Sequence, residues 1–578
     1  MTSQRLVKWL ILLLMLAAAG CAVAGCMPIG LLRPLGAILR RPDDVTPERY
    51  ARYLHVCWFF AAAFGVAAFL VRRFRRNIEE YIRACREETR EPIVAEIHER
   101  RYYLLTLLLI AVGLGLRFSR LFDPMAYDEA YTFLTYARRP WIIAIADYNA
   151  LNNHLLNSFL MHWSYRLLGD AEWALRMPVF LVGGLTLVVA SRWSRQWFGP
   201  RESCLVTAMV TVSPMMITYS ANARGYMFVA VTTLVLDAAM WRMHCYPARS
   251  ARSALIAWCA IVAGCLSMPI MLYGVLGCCG WYFLQPFFDR PLLATVVRQR
   301  ATILAVLLAS SGLVVMTGYA PAYIFRGLLI AGDLASPTQS GGPFLTQVGL
   351  NWAAAYEWWT AGAVPTFVWL PLAIVGLIAW PATTDLKLRW VAPFAAMFLL
   401  NLVMGALPPT RVYLFLAPWF YLAVARGITT LLDLVPDWSG RGVLLTGLAL
   451  AVAGSVYTAR HTVLFDPAER TSYVSIRELI DRLEEEVTAD PGNADRLIAP
   501  LPSDLPAVFY LDQAGLPIPV NGEPQEGETV WLITRHGESP ADVLTSPLVQ
   551  LDEYVDRLAP WKSVAAFRTL RLYRSSMD

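Results

Sequence analysis

Residues 102–116 read Tyr102-Tyr103-Leu104-Leu105-Thr106-Leu107-Leu108-Leu109-Ile110-Ala111-Val112-Gly113-Leu114-Gly115-Leu116, a run without a single charge. Extended to Phe122, it reaches the roughly 20 residues that an α-helix needs to cross a hydrocarbon core. Comparable runs recur on both sides of it, in a chain of 578 residues that is 57% hydrophobic and only 16% charged. Soluble globular domains carry about 25% charged residues. The composition therefore excludes a soluble enzyme, a disordered chain and a fibrous repeat, and reads as an α-helical polytopic membrane protein.

Before this run lie two further apolar stretches. Trp9 to Leu32 follows Arg5 and Lys8 and is longer than the about 7–15 residues of a secretory apolar region, so a retained helix is expected. Ala18-Ala19-Gly20-Cys21 also resembles a weak lipobox. The second stretch, Leu54 to Val71, ends in Arg72-Arg73-Phe74-Arg75-Arg76, and from there to Arg101 alternating Arg and Glu read as a solvated helix. After it, about 11 core spans are expected, near 102–122, 173–191, 203–219, 226–242, 253–270, 271–288, 301–322, 364–381, 390–407, 412–426 and 442–458. Cytoplasmic loops are enriched in Lys and Arg. That rule puts Arg72–Arg101, Arg192–Arg201, Arg242–Arg252, Arg290–Arg300, Lys387–Arg389 and Arg426–Arg441 inside. It leaves Phe122–Glu172, Tyr219–Tyr226, Tyr323–Pro365, Pro408-Pro409-Thr410-Arg411 and everything after Tyr457 outside. Asn157–Leu168 then reads as an interfacial or re-entrant helix rather than a span.

Three parts follow: an N-terminal extension over 1–101, a membrane domain over 102–458, and a small extracytoplasmic α/β domain over 459–578. In the last, Arg470–Val487 has an amphipathic helix pattern, with strand-like runs at Arg496–Ala499, Thr529–Thr534 and Ala565–Tyr573. A structural or acceptor-docking role is expected for it. All ten cysteines fall at or before Cys279, so this domain has no disulfide framework. A net charge of +5 is too dilute over this length to indicate nucleic acid.

The polar residues of interest sit in the outer segments. Asp128 and Glu129 are adjacent carboxylates beside an apolar surface, where partial burial suits a general base; Asp128 also stands where a helix cap would. Asp147, Asn153 and His154 share their loop, and Glu129, Asp147 and His154 are the candidates for a divalent metal, if one is bound; loop hydrogen bonding is the alternative. Arg224 lies in Ser220-Ala221-Asn222-Ala223-Arg224-Gly225-Tyr226, and Arg411 opens a helix after two prolines. An arginine at a helix start opposes the macrodipole, and outer loops are poor in arginine, so both positions suggest a bound phosphate. Snorkelling to headgroups, or a structural pair with Asp128 or Glu129, are the alternatives. Trp352, Tyr356, Trp358 and Trp359 read as an interfacial aromatic belt or as sugar-stacking faces.

Four motifs carry a resemblance: Tyr127-Asp128-Glu129-Ala130, Trp173-Ala174-Leu175-Arg176-Met177-Pro178, Trp197-Phe198-Gly199 and Tyr219–Tyr226, with Arg411-Val412-Tyr413-Leu414-Phe415-Leu416-Ala417-Pro418 further on. Over about Tyr102–Tyr457 the chain resembles the GT-C membrane glycosyltransferases, in particular the family 39-like relatives of protein O-mannosyltransferase and lipid A aminoarabinose transferase. The resemblance implies a bacterial inner-membrane enzyme, with Asp128 as the catalytic carboxylate in the first outer loop. Asn152-Asn153-His154-Leu155-Leu156 departs from the family, which often has a His or Glu followed by prolines. The expected activity is transfer of a sugar from a polyprenyl-phosphate carrier to an outer glycan, lipid or protein hydroxyl. In this reading Asp128 and Glu129 are catalytic, Arg411 and Arg224 bind the donor phosphate, and Asn153, His154 and Tyr226 bind substrate. The alternative class is a transporter or flippase of lipid-linked sugars, although no internal repeat or paired broken helices point to one.

Overall fold

The computed structural model describes residues 3–28, 46–76, 79, 100–148, 152–247, 250–288, 294–326, 343–380, 384–405, 407–435, 439–461, 474–489, 495–546, 549–558 and 560–576. The expected solvated helix before Arg100 lies, but for Glu79 and the residues up to Arg76, outside them.

The N-terminal extension is a pair of packed helices, α1 (Ser3–Gly25) and α2 (Pro47–Arg73). The membrane domain opens with α3 (Arg100–Phe118), then places three short helices, α4 (Tyr127–Thr132), α5 (Trp141–Ala146) and α6 (Leu155–Leu168), before α7 (Glu172–Phe198). There follow α8 (Pro200–Val212), α9 (Pro214–Tyr219), α10 (Tyr226–Cys245), α11 (Ala251–Ser267), α12 (Met271–Leu284) and α13 (Ala294–Arg326). The domain closes with α14 (Phe344–Thr360), α15 (Thr366–Ile378), α16 (Thr384–Met404), α17 (Ala417–Asp433) and α18 (Ser439–Arg460). Among the described residues nine helices are long and apolar enough to cross a membrane, two of them before Arg100.

Every expected span is helical, but four are shorter than a bilayer or broken. The run expected over 203–219 divides at Ser213-Pro214, where proline cannot continue the ladder and the Ser213 hydroxyl accepts the Met216 N–H at 3.4 Å. Helices α11, α12 and α15 have 17, 14 and 13 residues. α6 has 14 residues; its Asn157, Ser158, His162 and Ser164 are buried against the protein, while Trp163 and Leu167 face outward.

One expectation about a side chain is corrected. Arg389, expected in a basic loop, is fully buried in α16, where Nη2 donates to Asp237 Oδ2 at 2.5 Å and the guanidinium lies 4.0 Å from the Trp197 ring centroid. A cation at this depth needs a carboxylate, and α10 supplies one. Two tryptophans of α14 make contacts inside the protein. Trp359 is buried, donating to Tyr413 O at 3.2 Å, and Trp352 meets the Tyr413 ring at 4.9 Å, so both pack α14 onto the chain around Arg411.

The C-terminal domain begins with α19 (Ile476–Ala489), whose Ile476, Leu479, Ile480 and Leu483 form one buried stripe. A four-stranded sheet, order β1-β2-β4-β3, combines β1 (Asp495–Ile498), β2 (Thr529–Arg535), β3 (Lys562–Ala566) and β4 (Leu570–Ser576). β1 and β2 are parallel, joined through α20 (Asp504–Ala514); the other pairs are antiparallel. The run expected as one strand over Ala565–Tyr573 is a hairpin, because the chain reverses at Phe567–Leu570, with the Phe567 N–H bonded to Leu570 O at 2.8 Å.

Candidate active site

The loop after α3, the start of α7 and the turn between α9 and α10 meet at one end of the bundle around a buried ion pair. Arg176, in the first turns of α7, donates from Nε to Glu129 Oε1 at 2.8 Å and from Nη2 to Oε2 at 2.6 Å. Glu129 also accepts the Ala126 N–H at 3.0 Å and the Ala223 N–H at 2.6 Å. Arg176 spends its remaining donors on the carbonyls of Leu121, Asp123 and Pro124. Burial alone would raise the Glu129 carboxyl, but Arg176 and the two backbone donors hold it below its ordinary value. Three of the motifs thus converge on one clamp. Glu129, expected to be catalytic, has both oxygens hydrogen-bonded within the protein and 1% exposure.

Asp128 is oriented differently. One residue earlier on a helix points about 100° away, and its side chain stays 20% exposed, paired with Arg224. Asn152 completes the group: its Nδ2 donates to the Asp128 carbonyl at 3.0 Å, while its Oδ1 accepts from Arg224 Nη2 at 2.6 Å. Arg224 also lies 5.3 Å from the Tyr226 ring centroid. Asp128 is the second residue of α4 rather than its cap, which is Ala126. Arg224, expected on the donor phosphate, here holds the carboxylate. Asn152 was not among the expected site residues, although the run of asparagines that contains it was the signal.

His154 is buried at the start of α6. Its Nδ1 accepts the Gly225 N–H at 2.7 Å, its ring meets Tyr226 edge-on at 5.7 Å, and its Nε2 has no hydrogen-bond partner among the described residues. Burial, with the Arg411 guanidinium nearby, pushes its pKa down to about 3. Arg411 is half-buried in a 3-10 segment, Thr410–Leu416, which leads into α17 and packs against α10. Tyr226 is buried, with its ring against His154 and Arg224. Asn153 points elsewhere: its Nδ2 donates to the carbonyls of Ala144 at 3.0 Å and Asp147 at 2.6 Å, shaping the loop. The metal candidates Glu129, Asp147 and His154 do not fit a metal, since Glu129 and His154 Nδ1 are already engaged. Among the described residues no three His, Cys, Asp or Glu side chains form such a group.

The chain is similar to ArnT from Cupriavidus metallidurans in the apo state, with a TM-score of 0.54 and 13% identity, over 81% of this chain and 97% of that one. The chain shares the fold of this membrane protein. ArnT bound to undecaprenyl phosphate aligns over the same shares at a TM-score of 0.51 and 14% identity. The archaeal oligosaccharyltransferase AglB from Archaeoglobus fulgidus aligns at 0.43 and 12% identity, over 76% of this chain and 70% of that one. No protein-family model and no curated protein sequence matches the chain. The two N-terminal helices pack through α2 against α13.

Proposed function

We propose that the protein is a membrane glycosyltransferase that moves a sugar from a polyprenyl-phosphate carrier to a hydroxyl of an acceptor glycan, lipid or protein. The observation that carries this reading is a neutral histidine donor set beside an arginine, close to an accessible carboxylate. The Gly225 N–H points at His154 Nδ1, so that nitrogen is the acceptor and the proton sits on Nε2. Nε2–H is then a buried donor without a partner among the described residues, near the Arg411 guanidinium. A neutral N–H donor with a guanidinium nearby suits a phosphate oxygen. The likeness to ArnT with undecaprenyl phosphate bound supports a lipid-phosphate ligand.

The reaction follows from these positions. The acceptor hydroxyl gives its proton to Asp128 as its oxygen bonds to the anomeric carbon, and the bond from that carbon to the phosphate oxygen breaks. Arg411 and the His154 Nε2–H stabilise the charge that grows on the departing phosphate, which therefore needs no general acid. Arg224 and Asn152 orient the carboxylate. The excess of arginine at the opposite end of the bundle supports a bacterial inner membrane with the site and the C-terminal domain outside.

The test is a transfer assay on purified protein in detergent, where transport has no meaning, with a polyprenyl-phosphate sugar and hydroxyl acceptors. Asp128→Asn should lower turnover by about 10²–10⁴-fold, the range for loss of a general base. Arg411→Ala should lower turnover and donor affinity together, and Arg411→Lys should restore only part, because an ammonium lacks the bidentate fork. Absence of transfer with every donor and acceptor would overturn the reading in favour of a lipid-linked sugar transporter.

A further inference from the structure

The loop that carries Asp128 is not held by the membrane domain alone. Its backbone reaches the C-terminal domain at Met125, whose N–H donates to the Tyr510 hydroxyl at 2.8 Å. The same hydroxyl donates to Glu172 Oε1 at 2.8 Å. Glu172 opens α7 and also pairs with Arg477 of α19, whose guanidinium lies 5.6 Å from the Tyr510 ring centroid. One phenol therefore ties the Asp128 loop, the start of α7 and the C-terminal domain together.

The surroundings make this tie exacting. Met125, Ala126, Ala130 and Phe133 are buried in the same apolar cluster as Ile476, Phe509, Tyr510 and Leu572. The Phe133 and Phe509 rings meet edge-on at 5.7 Å. Met125 precedes α4, so its N–H has no partner within that helix, and the Tyr510 oxygen is what satisfies it. A buried amide left without an acceptor either pays its desolvation or moves to find water. Movement at Met125 is transmitted three residues on to Asp128 through the Ala126–Glu129 bond.

We infer that Tyr510 is a positioning residue for Asp128, acting from the C-terminal domain through the Met125 amide; this rests on Asp128 being the base. The hydroxyl sets where α4 begins, and with it the direction of the carboxylate. The domain after 459 is then part of the active-site architecture and not only a docking surface.

The test compares full-length wild type with Tyr510→Phe, which keeps the ring in the apolar cluster and removes only the oxygen. Turnover should fall at least roughly tenfold, since a displacement of about 1 Å can cost on the order of 10²-fold, while KM for the donor stays within about twofold. Hydrogen exchange should speed in the peptide that contains Met125 and stay slow in β2 and β4. Arg477→Gln, which leaves both bonds of the hydroxyl in place, should keep turnover. Turnover in Tyr510→Phe within twofold of wild type would overturn the inference. So would exchange that accelerates through the whole sheet, which marks a merely structural tyrosine. If wild type transfers no sugar, the proposed function fails by itself, and unchanged exchange at Met125 then overturns this inference independently.

Discussion

Adjacent residues can have opposite fates, and Asp128 and Glu129 show why. As a pair in the sequence they are equivalent carboxylates. In the fold Glu129 takes four donors and leaves solvent, whereas Asp128 keeps an open edge beside Arg224. What separates them is Arg176, 47 residues away in α7, and no local pattern reveals which carboxylate such a partner selects. His154 illustrates a second effect. Its folded pKa of about 3 lies below its ordinary 6.5, so the unfolded chain takes up the proton more readily. The resulting stability is complete above about pH 6.5 and is lost as the pH falls from there toward 3. Thermal unfolding between pH 7 and pH 5 should therefore show a falling midpoint. The fall should be shallower in His154→Asn, whose amide oxygen can still accept the Gly225 N–H. Equal slopes in the two proteins would show that His154 is not buried in its neutral form.

At the scale of elements, the short helices depend on close approach rather than on length. α15 and α17 cross at Gly376 and Gly427. A Cβ on Gly376 would lie 1.9 Å from the Ala423 carbonyl oxygen, and one on Gly427 would lie 1.9 Å from that of Leu372. Both obstacles are backbone, so neither can rotate aside, and small residues are what allow helices to approach this closely in a bilayer. Gly376→Ala or Gly427→Ala should each destabilise by about 1–3 kcal/mol or more through overpacking, read as a lowered unfolding midpoint. Gly349→Ala, with open space around its Cβ, should leave the midpoint unchanged. Equal midpoints for all three would mean that the crossing is looser than described. α17 also anchors the 3-10 segment that presents Arg411. The two prolines before Thr410 signalled a special helix start, but the tight geometry of that start depends on Trp352 and Trp359 packing from α14.

At the scale of the whole molecule, the two ends of the bundle differ in charge and in what covers them. At the end away from the site, Glu202 pairs with Arg426 at 3.1 Å and Arg201 with Asp433 at 2.7 Å. At the other end the site loop shares its apolar cluster with the sheet domain. A topology test follows from this polarity. In a background with all ten cysteines replaced, a membrane-impermeant maleimide should label Glu553→Cys on intact cells. Arg192→Cys should react only after permeabilisation. The reverse pattern would place the site in the cytoplasm and remove the case for an outer acceptor.

Hydropathy and positive charge are local quantities, and they determined the membrane class, the position of nearly every helix, and which loops lie together at one end. The polar motifs in those loops likewise pointed to Asp128, Arg411 and His154 before any contact was known. Contacts across hundreds of residues are not local, and only the tertiary structure decided them. It set Glu129 against Arg176, turned Arg224 onto Asp128, placed Arg389 against Asp237, and joined Tyr510 to Met125. The physical reason is that a side chain's role depends on whether water or a partner satisfies it, and burial is a property of the packed chain rather than of the residue.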